Sequence, residues 1–148
     1  MMQSFVRNIK ATRVSNAVAA GSTDIECSII DMQGFDGVSF EALFGAITSG
    51  AATGLKVEQG DAANLSDGDD LEGSAISIDD DEDNMVLLTD IFRPTKRYVR
   101  PIVTRATQNA VVDGVMAHQY GASVLPVTQD ATTIADSEFH ASPDEGTA

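Results

Sequence analysis

Apolar and polar residues alternate with a period of two through much of this chain, the mark of half-buried strand. Ile25, Cys27 and Ile29 alternate with Glu26, Ser28 and Ile30. Val38 and Phe40, with Leu43, open a further strand that closes near Thr48, Ser49 and Gly50. Residues 55–58 are short and alternating, 75–78 resume the pattern, and 85–88 form an apolar run. Residues 6–14 set Val6, Asn8, Lys10, Thr12 and Val14 against Arg7, Ile9, Ala11 and Arg13, a poor helix pattern that reads as strand. In residues 98–105, Tyr98, Arg100, Ile102 and Thr104 face one way and Val99, Pro101, Val103 and Arg105 the other. Pro101 has no N–H for a ladder, so this strand belongs at a sheet edge or carries a bulge.

Turn chemistry separates these runs: residues 21–24, Gly34 and Gly37, and the acidic loop 60–73, which Leu71 could pin. The tight acidic turn 79–84 joins two strand-like runs, which predicts a hairpin. Residues 109–120 are ambiguous. Val111, Val112, Val115, Met116 and Tyr120 fit a helical stripe that Asn109 could cap, whereas Gly114 and the valines favour a strand. The favoured reading is a strand paired with the preceding one. Beyond Gly121 the chain loosens, keeping Val127, Ile134 and Phe139 as apolar anchors. The pattern predicts an all-β fold, or a mainly β one with at most one short helix. It would be a single sandwich or barrel over residues 1–125, with an extended C-terminal arm over 126–148 that lies on a neighbour.

Composition narrows the function. An apolar fraction of 43% supports a real core in 148 residues, built without tryptophan. A net charge of −14 opposes DNA or an anionic membrane as the main partner. No run is long enough for a membrane span, and no signal peptide is visible, so a soluble protein is expected. The single cysteine, Cys27, gives neither a disulfide framework nor a metal pattern and reads as a small core residue.

Charge is segregated along the chain. Residues 58–90 hold twelve acids and no base, while five of the nine bases (Arg93, Lys96, Arg97, Arg100 and Arg105) fall within the thirteen residues 93–105. The basic strip could be a solvated strand face that balances acids within one molecule. It could instead pair with carboxylates across a subunit boundary, a task suited to the planar guanidinium. An acidic turn and a basic strand on one chain would also be self-complementary in a closed ring.

Catalytic and metal chemistry find little support. Asp79, Asp81, Asp83 and Asp90 match part of a calcium-loop spacing, but Asn84 stands where glycine is needed and the twelfth position is not Glu. A solvated turn is the simpler reading. His118 and His140 share no metal spacing with Cys27 or each other, and no Gly-x-Ser-x-Gly elbow is present. Gly34, Gly37 and Gly45 serve turns or bulges, not a phosphate loop. The chain is not expected to be an enzyme or to carry a cofactor.

Residues 31–38, 93–100, 103–114 and 142–148 as a set resemble a group of small tailed-phage and prophage virion structural proteins. The resemblance runs over most of the chain from Asp24. It implies a virion protein, made in the host cytoplasm, that decorates and cements the exterior of an assembled head by bridging major capsid protein subunits. A homo-oligomer, with a trimer favoured, goes with that role, without nucleic acid or membrane as a partner. Its candidate interface residues are the basic strip and Phe139. The alternative is a head–tail connector, a stopper or tail terminator working as a ring.

Overall fold

Long extended segments with alternating burial build this protein. In the computed structural model, residues 3–148 are described; Met1 and Met2, at the start of the expected 1–125 domain, lie outside the described residues. After a single helical turn, α1 (Phe5–Asn8), come eleven strands. They are β1 (Lys10–Ser15), β2 (Val18–Gly21), β3 (Ile25–Glu26), β4 (Ile30–Asp31), β5 (Gly37–Ile47) and β6 (Ala52–Gly60). The remainder are β7 (Asp69–Asp70), β8 (Ile76–Ile78), β9 (Val86–Phe92), β10 (Tyr98–Ala106) and β11 (Ala110–Tyr120). No helix among the described residues is long and apolar enough to cross a membrane.

The strands form two antiparallel sheets. One has the order β1-β11-β5-β9, with β2 also on β11; the other has the order β3-β10-β6-β7, with β4 on β10 and β8 on β6. Val38, Phe40, Ala42 and Phe44 of β5 share one buried cluster with Leu55 and Val57 of β6 and Val99 and Val103 of β10. The two sheets are therefore layers over a common core. Cys27 lies in that core, and burial pushes its thiol up to about 12.

Several local expectations change in this frame. Residues 6–8, read as the start of a strand, belong to the turn α1, where the arm satisfies groups that a single turn leaves open. Val127 N–H bonds to the Arg7 carbonyl at 2.8 Å. The Gln129 amide donates to the carbonyls of Val6 and Ile9 at 2.9 and 2.7 Å, and its oxygen accepts Ala11 N–H at 2.9 Å. Residues 76–78 and 86–92 do not make a hairpin: β8 pairs with β6 and β9 with β5, so the acidic turn carries the chain from one sheet to the other. Residues 110–120 are a strand, but its partners are β5, β1 and β2, not the preceding β10. Its register shifts between Val112 and Gly114, where Gly114 adopts φ +154°. That bulge moves the buried set from Ala110 and Val112 to Val115 and Ala117. A strand with one extra residue thus shows the three-residue spacing of a helix.

Pro101 lies inside its sheet, yet beside a gap in it. Its carbonyl accepts Cys27 N–H, and the missing N–H falls between the short strands β3 and β4, where the ladder is interrupted.

Arg105 ties the layers together. Its buried guanidinium, 4% exposed, reaches from β10 into the other sheet and donates to the carbonyls of Ala19 (3.1 Å) and Ala110 (2.8 Å), and to Thr23 (2.8 Å). Its own N–H is held by Asp24 at 2.9 Å. Burial lowers its pKa, opposed by the nearby Asp24. Arg105→Met should lower stability by about 2–4 kcal/mol in denaturant melts, because three carbonyls lose their donor at once. The Cys27 thiol should stay unreactive to a disulfide reagent in the native protein at neutral pH and react fully on unfolding, followed by absorbance.

Candidate interaction surface

The outer face of the second sheet takes up two of the five residues of the predicted basic strip, Arg97 and Arg100. Register places Arg100 of β10 opposite Glu58 of β6. Arg100 Nε donates to Glu58 at 2.6 Å, and another guanidinium nitrogen donates to Glu26 on the far side at 3.1 Å. Arg97 makes a two-pronged pair with Asp31, both bonds 2.8 Å. Those bonds lower the Asp31 pKa and raise that of Arg97. Lys56 pairs with Asp70 at 2.8 Å on the same face. Arg97 and Arg100 are thus neutralised within the molecule, and Arg105 is a core group.

The balancing acids are Asp31, Glu26 and Glu58, none of them from the turn 79–84. Two members of the strip stay available. Arg93 forms no ion pair among the described residues and stacks on Phe92, its guanidinium carbon 5.1 Å from the ring centre. Among the described residues Lys96 reaches only the exposed Asp61, at 3.7 Å.

The acidic turn has a structural use of its own. Asp83 accepts Ile47 N–H at 2.7 Å, Asp80 accepts Gly50 N–H, and Glu82 accepts Asp79 N–H at 2.8 Å. Asp83 and Asp80 thereby hold the end of β5 and the β5–β6 connection, while Glu82 closes the turn itself. Among the described residues, no group of three or more His, Cys, Asp and Glu side chains is placed to hold a metal. His118 lies 3.3 Å from Glu41 with the Phe5 ring edge-on to it, while His140 pairs with Glu138 at 2.9 Å.

After Tyr120 the chain has no further strand or helix and runs along its own domain. Phe139, the predicted arm anchor, is half-buried under the Arg7 guanidinium at 4.3 Å. Thr133 Oγ1 accepts Arg13 N–H at 3.2 Å, and Gln129 takes Ala11 N–H, so arm side chains occupy backbone groups along the β1 edge.

The four sheet edges are consequently unequal. β1 is covered by the arm. The edges of the second sheet are broken into the short pieces β3 and β4 on one side and β7 and β8 on the other. Short or covered edges are the usual protection against unwanted strand pairing. Among the described residues β9 has neither device: seven residues long, it pairs only with β5. It is also apolar on both faces. Leu87 and Ile91 pack against the core, while Val86, Leu88 and Phe92 are 43%, 64% and 62% exposed, with Met85 beside them at 53%. The signal was present in the sequence: an antiparallel strand apolar on both faces calls for a second cover.

No protein-family model matches the chain, and no curated protein matches it. Among solved structures it is similar to the PBSX exported protein XepA, with a TM-score of 0.55 and 16% identity over 95% of this chain. The match takes in 46% of XepA, so this chain spans just under half of that protein's length. Weaker likenesses, each with a TM-score of 0.44, link it to two others. Dimeric latent PorU from Porphyromonas gingivalis is 11% identical, over 78% of this chain and 13% of that one. A structure of infectious bursal disease virus, Gx strain, is 13% identical, over 80% and 33% respectively. The likeness to XepA is one of fold: an antiparallel β domain.

Proposed function

We propose that this chain is a phage virion structural protein, without catalytic activity, that sits on the outside of an assembled head and bridges neighbouring major capsid protein subunits. The observation that supports this reading is the fold shared over nearly the whole chain with the phage-derived XepA. The sequence resemblance to small phage structural proteins points the same way. The physical task is to add buried surface between subunits. A protein that binds only the mature lattice stabilises it by mass action, so the lattice gains resistance to internal pressure as the sites fill. The internally neutralised sheet face and the net charge of −14 suit a protein that stays soluble at high copy number and keeps away from packaged DNA. With Arg97, Arg100 and Arg105 committed within the molecule, Arg93, Lys96 and the apolar face of β9 are the groups left to meet a neighbour.

Quantitative mass spectrometry of purified virions should find this chain within a few-fold of the major capsid protein. A ratio matching a single ring would move it to the head–tail junction, and absence from the particle would remove the virion reading.

A further inference from the structure

The open edge of β9 specifies its own partner. At the two ends of the strand, the Met85 carbonyl accepts Phe44 N–H and Arg93 N–H bonds to the Asp36 carbonyl. The backbone groups of the odd-numbered residues therefore face β5, and those of Val86, Leu88, Asp90 and Phe92 face outward without a strand partner. We propose that two copies of this chain join β9 to β9, antiparallel, about a two-fold axis at Thr89. The inference stands on the edge geometry and does not depend on the virion reading.

Three features select this occupant. Pairing about Thr89 sets Val86 opposite Phe92 of the second copy and Leu88 opposite Asp90, which brings every outward-facing backbone group of the strand into a bond. On the inner row, Leu87 meets Ile91 and Thr89 meets Thr89, so apolar side chains face apolar ones there and at both ends of the outer row. Asp90 is kept turned toward its own Tyr120, whose hydroxyl donates to its two carboxylate oxygens at 2.8 and 3.0 Å.

The third feature is charge. Residues 79–83, all acidic, lead into β9, and Arg93 and Lys96 follow it. An antiparallel pair lays each acidic turn beside the basic end of the other copy; a parallel pair would set acid against acid. Local attraction at both ends matters between two molecules that each carry −14. Such a contact is isologous, so it builds a dimer in place of the three-fold arrangement expected from the sequence.

The test uses the full chain. Light scattering of the wild type should give twice the 15.6 kDa chain mass. Leu88→Glu sets a carboxylate directly opposite Asp90 of the second copy and should weaken association by about tenfold or more while leaving the circular dichroism unchanged. Thr89→Cys puts two thiols directly opposite each other, at the close spacing of a non-hydrogen-bonded pair, and should give a disulfide-linked dimer on mild oxidation. Cys27 is buried and should not compete. The proposal is overturned by a wild type that stays monomeric at millimolar concentration, or by a mass that Leu88→Glu leaves unchanged. A monomer whose β9 edge is filled only in the presence of capsid shells would overturn it as well, and assign the edge to a capsid strand.

Discussion

The structure depends on the contact between its two layers. Phe40 and Phe44 from one sheet and Leu55, Val57, Val99 and Val103 from the other fill one core, and the chain passes repeatedly between the layers to build it. Of consecutive strands, only β6 and β7 pair with each other. Every other ladder joins segments distant in sequence, so neither sheet completes itself locally. Arg105 fits this arrangement, because its guanidinium answers carbonyls of the opposite layer near the point where β10 hands the chain to β11. A cation in that position is solvated by the backbone instead of by water.

The same topology decides where charge goes. β10 lies between β6 on one side and β3 and β4 on the other, so its outward arginine meets glutamates from both neighbours. Opposite charges directly across a ladder stabilise modestly each, and their larger effect is to fix which strands sit side by side. A strip that looks like a binding surface in one dimension becomes the cross-bracing of a sheet in three.

Much of the fold was legible in the sequence, because burial with a period of two survives wherever a strand has one wet face. β5, β6 and β10 show it plainly. Two kinds of information were not legible. Bulges change phase: the shift at Gly114 turned the β11 pattern into an apparent helical stripe. Strand partners were also hidden, since turn residues at 79–84 look the same whether the chain folds back or crosses to another layer. For the candidate surface, the charges of Arg97 and Arg100 were visible but their partners were not. Glu26 and Asp31 precede them by well over fifty residues. The β9 stripe was visible as an apolar run, and only its position at an edge gives that run meaning.

An antiparallel sandwich must deal with every edge it leaves. This one shortens two, covers a third with Gln129 and Thr133 of the arm, and leaves the outer edge of the long, apolar β9 without a strand partner among the described residues. Strand pairing at the open β9 edge can be followed by amide hydrogen exchange across a concentration series. The amides of Val86, Leu88, Asp90 and Phe92 should exchange fast in dilute solution and become protected as concentration rises, while those of Leu87, Thr89 and Ile91 stay protected throughout. Exchange at the four outward amides that does not change with concentration would contradict it.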